Sequence, residues 1–173
     1  MHFGSQMIEN EKKQKEIVCG FLNQMDSNRA NELKSLITKY EGQYFYNIEK
    51  PLSSLSREII DLQKKLNEFF FYNKTERKNN INTKITEKTE NIAIINNDKA
   101  LIDSAYNDFN TYFENHEFTR DKWFKGQVKL HKVDEFTSFL YNNCLTTQGG
   151  KKSSRKSSKK GKSKKGKSKK SKK

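Results

Sequence analysis

Seven apolar residues, Ile48, Leu52, Leu55, Ile59, Leu62, Leu66 and Phe69, follow one another at alternating spacings of four and three. At about 3.6 residues per turn, only an α-helix returns such a set to one face. Pro51 stands at the start of the set, where a first-turn proline costs little. The spacing predicts a helix over about 51–71, with Ile60 and Phe70 widening its apolar stripe. A seam this narrow does not make a self-sufficient core, so these seven residues are the candidate interface with a protein partner.

A second seam has the same alternation: Ile81, Ile85, Lys88, Ile92, Ile95, Lys99, Ile102, Tyr106, Phe109 and Phe113. It predicts a helix over about 81–115, with Lys88 and Lys99 as polar residues at core positions, which lower stability and set register or oligomer state. Residues 73–80, rich in Asn and Lys, suit the connection between the two. The pair reads as an antiparallel helical hairpin, or as one long zipper with a polar hinge. Upstream, Leu33, Ile37, Tyr40 and Tyr44 predict a helix over about 28–46, capped by Asp26 or Ser27. Ile17, Val18, Phe21, Leu22 and Met25 share a face of a segment over about 9–25, and a small helical segment follows over 119–143. With one proline and eight glycines in 173 residues, sheet turns are poorly supplied. The expected fold is all-α: an elongated helical bundle or antiparallel hairpin over residues 1–145, followed by a disordered tail over 146–173. The hydrophobic share of 32% points to a body that is completed by partner helices in a hetero-oligomer.

Charge divides the chain sharply. Residues 151–173 hold thirteen lysines, one arginine and no acid, so the tail carries the full net charge of +14 and residues 1–150 sum to zero. With no apolar residue after Leu145, the tail cannot offset the entropy of ordering. Its cations, among them Lys151, Lys152, Arg155, Lys156, Lys159, Lys160, Lys164 and Lys165, neutralise phosphates without reading bases. The segment resembles the lysine-rich tails of linker histones, which implies binding to DNA. RNA, acidic tubulin tails and anionic lipid are the competing anions, and a solubilising tail or localisation signal is the plainest alternative. No membrane-spanning or acyl-anchor motif accompanies the lysines, so no membrane is expected. Seven serines lie among them, and phosphorylation of most would neutralise the tail.

Residues 118–132 interleave aromatic and basic side chains and contain the only tryptophan. Trp123-Phe124 followed by Lys125, Lys129 and Lys132 resembles the recognition helix of homeodomains. The resemblance implies that Trp123 and Phe124 lie in the core, that Lys125 meets a base edge, and that Lys129 and Lys132 meet the groove or its phosphates. It departs from the family at Gly126, where the adenine-reading asparagine belongs, and at Gln127 and Val128, which replace arginines. The role implied is auxiliary DNA binding, as in homeobox-like, non-catalytic subunits of nuclear DNA-modifying (methyltransferase) complexes.

Cys19 and Cys144 lie far apart and suggest no disulfide framework; buried thiols in a reducing, intracellular compartment are expected. Asn73-Lys74-Thr75 matches a glycosylation acceptor, read as chance in a chain that is not secreted. His2, His116 and His131 have no cysteine or carboxylate at metal-ligand spacing, and there is no phosphate loop or nucleophile motif. No enzyme, cofactor or metal is expected. The function expected is that of an accessory subunit in a nuclear DNA-binding complex. The alternative is a coiled-coil subunit of a cytoskeletal or trafficking assembly, cytoplasmic, with the tail on microtubules; a ribosome-associated protein is a third.

Overall fold

A computed structural model describes residues 2–68 and 75–145. These residues form an all-α fold with no strand among them, as the seams predict. The six helices are α1 (His2–Gln24), α2 (Ser27–Lys39), α3 (Lys50–Asn67), α4 (Thr75–Asn115), α5 (Lys122–Val128) and α6 (Val133–Phe139). Short π-helical segments, Phe45–Glu49 and Leu140–Cys144, precede α3 and follow α6. Residues 146–173, and with them the tail lysines, lie outside the described residues, as do Phe69 and Phe70.

Two parts differ in packing. The head gathers α1, α2, the second half of α4, α5 and α6 around Ile17, Val18, Phe21, Ile37, Ile102, Phe109, Phe113, Phe136 and Leu140, all at most 2% exposed. Phe21 and Phe109 meet edge to face at 5.4 Å, and Phe109 and Phe136 lie 5.1 Å apart, within the range of favourable aromatic pairs. The arm is α3 laid along the first half of α4. Ile48 is fully buried at its base, but Leu52, Leu55, Ile59, Leu62 and Leu66 are only half-buried. A two-helix layer covers one stripe of each helix and leaves the flanks in water.

Several boundaries differ from those the periodicity predicts. The helix expected over 28–46 ends at Lys39. Asp26 caps its start by accepting from the N–H groups of Asn28 and Arg29 at 3.2 and 3.3 Å. At its end Glu41 and Gly42 take positive φ (55° and 68°), and the Gly42 N–H reaches back to the Ile37 carbonyl at 2.9 Å. That six-to-one bond closes a Schellman-type turn. Gly42 is required for a second reason: a Cβ there would stand 2.6 Å from Tyr141 Cβ. The backbone carbonyl of Gly42 also accepts from the buried Thr137 hydroxyl at 3.0 Å, so the C-terminal helix sits directly on this turn.

Pro51 stands in the first turn of α3, as expected, but helical backbone already runs from Tyr44 through the π segment that precedes it. The wider π turn accommodates a residue that cannot donate to the carbonyl of residue 47 and whose ring would crowd it. α4 likewise starts at Thr75, taking in six residues expected in the connection; Glu76 in its first turn complements the helix dipole. The lysines in the second seam keep their heads in water: Lys88 pairs with Glu58 across the arm at 2.8 Å, and Lys99 with Asp103 at 3.0 Å.

Candidate nucleic-acid interface

The aromatic, basic stretch 118–132 is three short pieces. His116 and Asp121 cap them, their side chains accepting from the N–H groups of Phe118 (3.3 Å) and Trp123 (2.9 Å). α5 is only seven residues long and uses Phe124 and Val128, four apart, as its inward face. Trp123, expected in the core, is therefore turned outward and is 54% exposed. It borders an open cleft of about 590 Å³ together with Phe118, Lys13 and Glu9.

The lysines expected to share one groove-facing helix do not. Lys125 is on α5, Lys129 is the extended residue that ends it, and Lys132 is the N-cap of α6. Lys125 and Lys129 both close on Glu114 of α4, Lys129 at 2.9 Å, and their hydrogen bonds, Lys125's first, hold its carboxyl below its ordinary value. Lys129 also sits 5.6 Å over the Phe113 ring. Of the three, Lys132 is exposed and makes no ion pair among the described residues.

The cysteines overturn the expectation of two separate thiols. Cys19 of α1 and Cys144 form a disulfide with Cα atoms 5.5 Å apart, across 125 residues of sequence. The fold brings the two ends of the body together, since residues 140–144 pack along α1. An even cysteine count was the signal available; the pairing needed the fold.

Three further features escape the periodicity. Asp98, 8% exposed, accepts from the Tyr40 hydroxyl at 2.6 Å and from Lys39 Nζ at 2.8 Å, tying the end of α2 to α4. One turn on, Asp103 accepts from Tyr44 at 2.5 Å and from Lys99. Burial, and then the bond to Asp103, push the Tyr44 hydroxyl up to about 12. The third feature is on α1, where Lys12 and Lys15 are exposed and make no ion pair among the described residues, whereas Lys13 between them pairs with Glu9 at 3.8 Å.

No group of three His, Cys, Asp or Glu among the described residues is arranged to hold a metal, and none of the described helices is long and apolar enough to cross a membrane. The chain matches no known family model, and no curated protein or solved structure is similar to it.

Proposed function

We propose that this chain is a non-enzymatic accessory subunit of a nuclear DNA-binding complex, in which the helical body docks a protein partner and the lysine tail holds DNA phosphates. The observation that carries this reading is the charge partition: +14 in residues 151–173 on a body that sums to zero. The half-buried stripe of the arm supports the docking role, because partner helices laid along the arm would take apolar side chains such as Ile60 and Ile94, 51% and 53% exposed, out of water. In the body Arg29, Lys39, Lys88, Lys99, Lys125 and Lys129 each face a carboxylate and residues 1–150 carry no net charge, so the net positive charge of the chain is the tail's. The homeobox-like stretch enters this reading as an auxiliary contact through Lys132; Lys125 and Lys129 join it only on leaving Glu114.

Duplex-DNA affinity across a salt series, for the full chain and for a chain ending at residue 148, tests the reading. Each neutralised phosphate steepens the plot of log affinity against log salt by about 0.9. The full chain should bind with a slope approaching about −13 if all fourteen tail cations engage. The shortened chain should lose most of both affinity and slope. Equal binding by the two chains, or none by either, would overturn it.

The cystine favours a second reading. Disulfides persist in oxidising compartments and are rare in the nucleus and cytosol. On this reading the chain matures outside the reducing compartments and its tail engages an anionic polymer there. Alkylation of free thiols at the moment of cell lysis separates the two: labelled Cys19 and Cys144 favour the nuclear reading, and protected cysteines the second.

A further inference from the structure

The two flanks of the arm differ in chemistry. Because α3 and α4 run in opposite directions, the residues just before the seam positions of both helices share one flank, and those just after them share the other. The first flank is charged. Glu58, Asp61 and Lys65 of α3 meet Lys84 and Glu87 of α4 around one open groove, and each of these five directly precedes a seam residue. The second flank takes Ser53, Ser56, Ile60, Gln63 and Asn67 from α3. From α4 it takes Asn82, Thr86, Thr89, Ala93 and Asn96. All ten are exposed and none bears a charge, in a chain whose residues are 32% charged. Loss of charge from an exposed face marks the core of an interface rather than a solvated surface.

The side chains also say what can cover this face. A two-fold axis sets the same patch of two copies against each other, so a face rich in one charge would repel itself. Hydroxyls and amides both donate and accept, and can therefore pair with their own kind. Ile60 gives the face an exposed apolar centre, and the half-buried Ile59, Ile85 and Ile92 lie just behind it. The flank extends from residue 53 to residue 67, about 21 Å at 1.5 Å of rise per residue, or about four turns. Two arms laid face to face along that length make a four-helix bundle, in which narrow two-helix seams close on one another.

We propose that a second copy of this chain docks on the uncharged flank, pairing two arms as a two-fold four-helix bundle. This rests on the docking role given to the arm above and names its occupant; it does not depend on the DNA-binding reading. Leu62, which lines the charged groove, and Ile94, which precedes the seam residue Ile95, stay on the outer flank and are not covered by the second copy.

The test is the mass of the full-length protein by sedimentation equilibrium. Loading should span about 1 μM to about 500 μM, in about 0.5 M salt so that repulsion between cationic tails is screened. The mass should climb from 20.4 kDa towards twice that value. Ile60→Glu, which sets like charges into a dry contact, should raise the dissociation constant by about a hundredfold. Ile94→Glu should leave it unchanged, and the two sites are matched in exposure at 51% and 53%. Ala93→Glu, on the uncharged flank of α4, should weaken the dimer as Ile60→Glu does, and decides alone if circular dichroism shows that Ile60→Glu has lost helicity. A monomer over the whole range would overturn the inference. So would a dimer that both flank variants leave intact, or one that Ile94→Glu weakens as much. The DNA salt series is read separately: a monomer that binds DNA leaves that reading standing, and a dimer that binds none removes that reading alone.

Discussion

In the head, Phe21, Phe109 and Phe136 close on one another around a core whose largest side chains are almost wholly out of water; in the arm, α3 buries no residue completely. Both parts are written with the same four-three spacing of apolar residues. The difference lies in how many layers meet. Helix α4 runs through both, and its second half is covered by α1, α2 and α6 while its first half faces α3. A seam between two helices shields one side of each residue. A seam enclosed by four helices shields all of it. The arm is thus the part that a partner can complete, and the head is the part that stands on its own packing.

The comparison can be broken most directly at the disulfide, which belongs to the head alone. Closing a loop across 125 residues stabilises the fold by about 5 kcal/mol in the chain-entropy account. Cys19→Ser/Cys144→Ser should lower the stability read by urea denaturation by about that amount, with the arm's own hydrogen exchange little altered. Next in size is Phe109→Ala, which should cost about 4 kcal/mol by opening a cavity in the aromatic cluster. Leu62→Ala in the half-buried arm should cost about 1 kcal/mol, because it was never fully withdrawn from water. Equal losses at the two positions would show that the arm is covered in solution, as a dimer or by a partner.

Between these lies the joint of head and arm. Asp98→Ala leaves the buried Tyr40 hydroxyl without its acceptor and should cost about 3 kcal/mol. Its mark in hydrogen exchange should be earlier opening of the arm relative to the head.

The smallest effects are those of pH. Tyr44 keeps its proton in the fold well beyond the ordinary tyrosine range, and Lys99 beside it, bonded to Asp103, is raised in the same direction. A raised folded value gives stability that is complete below the unfolded value and is lost as pH climbs through the folded one. Thermal stability should therefore fall between about pH 10 and 12, and Tyr44→Phe should flatten that decline. At the other end Glu114, lowered by its hydrogen bonds from Lys125 and Lys129, contributes in full above the normal carboxylate value, and its contribution is lost as pH drops through its folded value. Glu114→Gln should loosen α5 slightly at neutral pH and remove its acid sensitivity. It also frees both lysines, and should raise the affinity of the body for DNA.

Much of the helical architecture is legible along the chain. A helix repeats every three or four residues, so the seams from Ile48 to Leu66 and from Ile81 to Phe113 declare it without reference to anything distant. The charge partition is as plain, being a matter of composition. Local chemistry also narrowed the cap of α2 to Asp26 or Ser27, of which the structure uses Asp26. What periodicity could not reach were the choices made between segments remote in sequence. A seven-residue helix has room for one inward face, and the fit of Phe124 and Val128 against the head decided that Trp123 would face water. Glu114, at the end of another helix, took the two lysines that the aromatic, basic stretch had seemed to offer to DNA. Cys19 met Cys144, and Asp98 met Tyr40, because packing brings together residues whose spacing along the chain carries no record of it. Helicity, seams and charge are sums over neighbours, and the sequence by itself determined them; disulfide, buried carboxylate and exposed tryptophan depend on which surfaces come to face one another, and only the tertiary structure decided those.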